Sequence, residues 1–223
     1  CEGRGHPSNL SPMLILSDEI MPQAVAALCR AEPRFAGVVA RHGLPSLRAM
    51  APGFESLLHI VTEQFLSLKA AHAIWLRLAE RLRPFTAETV LAISHAELMA
   101  LGLSGAKAKS FHGIAREYLT SPDLFEGITA GSDEEARKRL ISLPGVGPWT
   151  ADIYLLAALQ RADIWPWGDL ALRHAAGDLL ALGQTPDHKA MRKLGEDFAP
   201  WRAVAARLLW SHYRGLRGLE QAS

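Results

Sequence analysis

Pro144-Gly145-Val146-Gly147-Pro148-Trp149-Thr150 and, about twenty residues later, Gly168-Asp169 contain the residue types in this chain best suited to act together in chemistry. Two glycines in one short turn let the backbone fold back within a few residues, because glycine enters positive φ without steric cost. If one helix stops before Pro144 and another starts at Pro148, the free amides after Gly145 point outward from a helix N-terminus. Backed by the helix dipole, such amides bind a phosphate without any side-chain charge. The same string, taken alone, is also an ordinary turn between two helices. Asp169 follows a glycine and precedes Leu170-Ala171-Leu172-Arg173-His174, so it stands where a helix begins and reads as its cap. A carboxylate fixed in that position is favoured as the anion by the dipole, which suits electrostatic stabilisation better than proton donation.

The elements that must hold these residues are helical. From about Asp18 to Cys29, and again from Phe35 to Arg41, apolar residues recur at helical spacing, broken by Glu32-Pro33. After a connector bracketed by Gly43-Leu44-Pro45 and Ala51-Pro52-Gly53, a helical pattern runs with few breaks from Phe54 to Leu82. Thr86-Ala87-Glu88-Thr89, Ser94-His95-Ala96-Glu97 and Ser132-Asp133-Glu134-Glu135 have the spacing of capping boxes, so helices should begin at each. A basic helix follows Ser104-Gly105, and Pro186 and Pro200 mark two later starts. No stretch alternates as a strand does, and the reading is all-α, without repeats or low-complexity linkers.

Composition bounds the function. With 223 residues, 49% of them apolar and 21% charged, the chain can bury a large core as one domain or two small lobes. A net charge of +1 neither supports nor excludes nucleic acid, since phosphate binding depends on where Lys and Arg sit. Cys1 and Cys29 are too few for a disulfide framework, a four-thiolate zinc site or an iron–sulfur cluster. The histidines show no metal-ligand spacing with Cys or carboxylates. No apolar run approaches the ~18 residues that span a bilayer, and no basic-then-apolar leader is seen. The expectation is an intracellular protein, cytoplasmic or at the nucleoid, with residues 1–12 as a loose or appended tail and 13–223 as one domain.

Leu143-Pro144-Gly145-Val146-Gly147-Pro148-Trp149-Thr150-Ala151-Asp152, followed by Trp165-Pro166-Trp167-Gly168-Asp169-Leu170-Ala171-Leu172-Arg173, resembles the hairpin and catalytic-aspartate signature of helix-hairpin-helix DNA glycosylases. Within that superfamily the chain is most similar to the DNA-3-methyladenine glycosylase II branch, over roughly residues 20 to 215. The resemblance implies a two-lobed helical fold with the DNA and base cleft between lobes. We expect about 100–180 to form the lobe with the hairpin, and 13–99 plus 181–223 the rest. Double-stranded DNA with alkylated bases is the implied partner of a monomer that needs no cofactor. In the family a fixed carboxylate beside the anomeric carbon stabilises the charge that builds as the N-glycosidic bond breaks, a role that falls to Asp169.

The other site residues follow the same alignment. Pro144, Gly145, Val146, Gly147 and Thr150 form the DNA-binding hairpin, and the carbonyls of Ile141, Leu143 and Val146 match positions that hold Na+ or K+. Trp149 stands where strand-cutting members carry an attacking lysine, and no Lys occurs between Lys138 and Lys189, which implies a monofunctional enzyme that uses water. Trp149 and Trp210 match pocket aromatics able to stack on a flipped, cationic purine. Ile153 matches a further pocket position, with Tyr154 one place along. His59 to Ala71 resembles the loop that fills the gap left by the flipped nucleotide, with Phe65 as wedge and Gln64 as the contact to the opposite strand. On pattern alone, Phe65 is more often a core residue of an amphipathic helix than a wedge, and Glu63 stands where the family commonly has glycine. Lys107 and Lys109 match a turn that approaches the phosphate backbone, although a solvated basic helix face gives the same letters. Two alternatives remain: a glycosylase for oxidised or mismatched bases, and a non-catalytic DNA-binding module.

Overall fold

The computed structural model describes residues 14–218; the expected tail at 1–12 lies outside the described residues. Helices α1 (Met21–Ala31), α2 (Arg34–His42), α3 (Phe54–Glu63), α4 (Leu68–Arg81), α5 (Ala87–Ala92), α6 (His95–Ala100) and α7 (Gly105–Thr120) make up the first half. The second half comprises α8 (Leu124–Ala130), α9 (Asp133–Ile141), α10 (Pro148–Ala157), α11 (Leu170–Leu179), α12 (His188–Glu196) and α13 (Arg202–Leu216). The only β-pairing among the described residues is an isolated antiparallel bridge between Ile15 and Arg161. Capping boxes form at Thr86, Ser94 and Ser132, each satisfying two amides that the first helical turn leaves open. No described helix is long and apolar enough to cross a membrane.

The apolar pattern from Phe54 to Leu82 is not one helix. It breaks at Gln64-Phe65-Leu66-Ser67, where Phe65 takes a φ of +57° and Ser67 caps α4 by accepting the amide of Ala70. The periodicity continues across the break because α3 and α4 pack on each other and both bury apolar residues, so spacing alone does not reveal the turn.

Packing groups the helices differently from the division expected at residues 100 and 180. Helix α3 lies against α4, α7 and α10, while α5 and α6 pack on α7, and α8 and α10 pack on α9. Helix α11 instead runs along α13, which also contacts α1 and α2. The reason is side-chain size: α11 buries Ala175 and Ala176, and α13 buries Ala203, Ala205 and Ala206, so the two backbones approach closely. One group therefore spans α3 to α10, and the other combines α1, α2, α11 and α13.

A buried arginine joins the two groups. Arg207 of α13 donates to the carbonyls of Leu47 (2.8 Å) and Leu156 (3.0 Å) and to Oε1 of Gln160 (3.2 Å). Burial lowers its pKa to about 10, so it remains charged at neutral pH while serving the C-terminal end of α10. Earlier in α10, buried Asp152 pairs with Arg137 of α9 at 2.6 Å, which ties the two hairpin helices together. Burial raises the Asp152 pKa to about 7 against the pull of Arg137.

The turn between α9 and α10 is seated on α7. Gly145 has a φ of +76°, and a Cβ there would run into Ser110; a Cβ on Gly113 would stand 2.7 Å from Pro144. Replacing Gly145 with alanine therefore adds both backbone strain and a clash, each worth roughly 1–3 kcal/mol. Gly145→Ala is expected to lower the thermal midpoint by at least about 4 °C, as followed by circular dichroism; an unchanged midpoint would mean the turn is not held against α7.

Candidate functional site

Asp169 ends a loop in which Trp167 and Asp169 donate their amides to the carbonyls of Trp165 (2.8 Å) and Pro166 (2.9 Å). Its Oδ1 accepts the amide of Leu172 at 2.7 Å, so it does cap α11. The cap is only part of its bonding. The indole Nε1 of Trp210 donates to the same oxygen at 3.1 Å, and the indole Nε1 of Trp149 donates to Oδ2 at 2.8 Å. Three donors from α10, α11 and α13 thus fix both carboxylate oxygens, while Asp169, Trp149 and Trp210 all remain partly exposed. The arrangement presents an oriented negative charge bonded to two partly exposed indoles, suited to a cation that forms or binds there.

Ile153, also partly exposed, lies one turn beyond Trp149 on the same face of α10. Tyr154 does not join this group. It is fully buried, and its hydroxyl accepts the amide of Gly53 at 2.8 Å. A one-residue step along a helix rotates the side chain by about 100°, enough to exchange pocket for core.

The hairpin has an outward-facing turn, but not every amide in it is free. Val146 is buried and donates to the Leu143 carbonyl at 3.1 Å. No hydrogen bond within the described residues engages the amides of Gly145 and Gly147, and α10 has no side-chain cap. Those amides lie at the start of α10, an arrangement suited to an anion, with Pro144 and Gly145 exposed. Thr150 is buried, so it serves the hairpin from behind rather than meeting a ligand.

The α3–α4 loop carries Phe65, with its side chain entirely in solvent. That excludes the core reading of this residue. Gln64 is turned inward: its Nε2 donates to the Gly145 carbonyl (3.1 Å) and to Thr150 Oγ1 (2.8 Å), so its amide nitrogen is committed to the hairpin and not to an opposing strand. Lys107 is also displaced from its expected role. It is buried, and its ammonium donates to the carbonyls of Thr62 (2.9 Å) and Gln64 (2.6 Å), so it faces the end of α3 and no phosphate. Lys109 is exposed and available. Sequence reasoning missed this support; the small residues Ser110 and Gly113, on the same face as Lys107, were the available sign that something packs closely there.

Glu63 approaches His59 Nε2 at 3.8 Å. Burial lowers the His59 pKa to about 4, with neighbouring His72 adding to the effect, so the contact is no ion pair at neutral pH. His59 instead stacks on Trp75, with ring centroids 4.2 Å apart. Burial raises the pKa of Glu63, opposed by the charge of Arg48. Among the described residues no group of three or more His, Cys, Asp or Glu could hold a metal ion.

A glycine hairpin, a carboxylate between two indoles and an exposed ring beside the hairpin coincide with a family match. Residues 58–200 match the model of the HhH-GPD superfamily base excision DNA repair proteins. The chain belongs to this family. DNA-3-methyladenine glycosylase 1 of Schizosaccharomyces pombe is 32% identical over 162 residues, which cover 70% of this chain and 71% of that protein. DNA-3-methyladenine glycosylase 2 of Escherichia coli is 28% identical over 182 residues, covering 77% and 61%. The solved structure of the S. pombe 3-methyladenine DNA glycosylase in complex with abasic DNA superposes with a TM-score of 0.73 at 28% identity, covering 84% of this chain and 95% of that one. This HhH-GPD protein therefore shares its helical architecture with a relative solved on DNA.

Two outcomes follow from the site. Trp149→Phe keeps a stacking ring but removes one hydrogen bond to Asp169, a charged-group bond worth roughly 1.5–3 kcal/mol. The single-turnover rate of damaged-base excision should fall about tenfold or more, with affinity for abasic-site DNA nearly retained; equal rates would show that the indole N–H is idle. His59, whose folded pKa lies below its ordinary value of 6.5, favours the folded state only while neutral. Stability is therefore lost as pH falls from about 6.5 through 4, and relative to His59→Gln the parent should lose on the order of 1–3 kcal/mol across that window in urea unfolding.

Proposed function

We propose that this HhH-GPD protein is a monofunctional DNA glycosylase that flips alkylated purines of the 3-methyladenine type out of duplex DNA and hydrolyses their N-glycosidic bond, leaving an abasic site. The observation that carries the reading is the Asp169 carboxylate held by Trp149 and Trp210, with both rings partly exposed. A cationic methylated purine gains from the faces of electron-rich rings, and its positive charge already makes it a good leaving group. As the bond breaks, positive charge moves onto the sugar, where a fixed anion lowers the barrier. Water then completes the hydrolysis, because the place of an attacking lysine is taken by Trp149, whose indole is bonded to Asp169.

Duplex DNA would be gripped at the amides of Gly145 and Gly147 and at Lys109, with Phe65 filling the space of the extruded nucleotide. The hairpin also offers a place for Na+ or K+. No donor within the described residues engages the carbonyls of Ile141 and Val146, and the Leu143 carbonyl accepts a single bond, from Val146. Such an ion would add positive charge beside a DNA phosphate and take no part in the chemistry. The protein would act as an intracellular monomer.

The test compares parent and Asp169→Asn on methylated duplex DNA, following release of 3-methyladenine and 7-methylguanine together with strand cleavage. Asparagine caps a helix about as well as aspartate, so the fold is retained. The parent should release base without cutting the strand, and the variant should lose at least about a hundredfold in rate while still binding DNA. Near-parent activity in the variant would return Asp169 to the role of a cap. Strand cleavage by the parent would remove the monofunctional assignment.

A further inference from the structure

One face of α7 serves two parts of the site at once. Lys107, Ser110 and Gly113 stand three residues apart in succession and so share that face. Ser110 and Gly113 receive the hairpin at Gly145 and Pro144. Lys107 receives the wedge loop, donating from its buried ammonium to the carbonyls of Thr62 and Gln64 at 2.9 and 2.6 Å. Gln64 closes the third side by donating to the Gly145 carbonyl and Thr150 Oγ1 at 3.1 and 2.8 Å. Phe65 therefore sits between a residue tied to both α7 and the hairpin and, two places on, the Ser67 cap of α4. A buried lysine bonded to two neutral carbonyls is a costly way to end a helix, and its burial lowers the pKa. What the cost supports is a fixed position for the exposed ring, whose φ of +57° is unusual for a bulky residue.

We propose that Lys107 and Gln64 are positioning residues that clasp the Phe65 loop to the hairpin, so that the phosphate gripped by the hairpin and the base step entered by Phe65 are held at one spacing. The proposal rests on the reading that Phe65 is the wedge and that the hairpin grips phosphate. It gives Gln64 a role through Phe65, inside the protein, in place of a direct contact with the opposite strand. It also makes Lys107 a donor to the loop's own carbonyls in place of a phosphate contact: an arginine, which can reach two carbonyls, should substitute for it, whereas a methionine of similar length, which cannot donate, should not.

The experiment is a double-mutant cycle read on base extrusion as well as on excision. Duplexes carry 2-aminopurine at the target position, whose fluorescence rises on unstacking, and methylated duplexes report single-turnover base release. The proteins are the parent, Gln64→Leu, Phe65→Ala and the pair combined, with Lys107→Met and Lys107→Arg alongside. Gln64 is partly exposed and its replacement leaves the core intact, so the cycle does not depend on the buried lysine. Gln64→Leu should lower both readouts on the order of tenfold. The combined variant should match Phe65→Ala within about twofold, because Gln64 acts only through the ring. Lys107→Met should fall with Gln64→Leu, and Lys107→Arg should recover most of the loss.

Losses that add in full would show Gln64 acting on DNA by itself and would overturn the clasp. So would parent-level extrusion in Gln64→Leu. If the parent extrudes 2-aminopurine yet releases no methylated base, the glycosylase reading fails, and the fluorescence cycle still decides the clasp.

Discussion

The site depends on one carboxylate with three donors. Asp169 is where α10, α11 and α13 meet in hydrogen bonds, two of them from indole nitrogens that belong to different packing groups of the fold. Each such bond to a charged acceptor is worth roughly 1.5–3 kcal/mol when desolvated, and here each also orients an aromatic ring. The anion and the two indoles therefore determine one another's positions. Moving either helix that carries a tryptophan would cost a bond to the carboxylate, which is a direct reason for the two groups of helices to hold one relative arrangement.

That arrangement is reinforced away from the chemistry. Arg207 bonds across the same divide at the far end of α10, and Asp152 ties α10 to α9 through Arg137. Helix α10 is thus fixed at its start by Trp149, in its middle by Asp152 and at its end by Arg207. The hairpin that precedes it is seated closely on α7, where a Cβ on Gly145 would meet Ser110 and one on Gly113 would meet Pro144. Preorganisation of this kind places donors and charge before a ligand arrives, so little reorganisation remains at binding.

What was legible in the sequence was local. The capping boxes at Thr86, Ser94 and Ser132 need only side chains three residues apart and read correctly from spacing, as does the hairpin turn, although only Gly145 uses positive φ (+76°) and Gly147, at −93°, does not. Asp169 was legible as a cap, and the motif around it marked the site, but the convergence of two indoles on it depends on helices 20 and 41 residues distant. Tyr154 illustrates the limit: a neighbouring position in sequence lies on another face of α10, and only packing decides which face is wet. Lys107 illustrates it again, since the letters of a solvated basic helix are also those of a buried ammonium serving a helix end from 45 residues away. The break at Gln64 was hidden because both flanking helices keep their apolar sides on the core.

The exposed ring of Phe65 bears on how such a protein samples DNA. Burying a phenylalanine side chain is worth about 1.5–3 kcal/mol, and in the free protein that amount is unclaimed. On an intact duplex the stack offers no place to claim it, whereas a step weakened by damage opens more cheaply and does. As a wedge, the ring would favour pauses at mechanically soft steps whatever their chemistry, and Asp169, Trp149 and Trp210 would inspect the base afterwards. Discrimination would then become two filters in series, stiffness first and charge second, the first requiring no contact with the lesion itself.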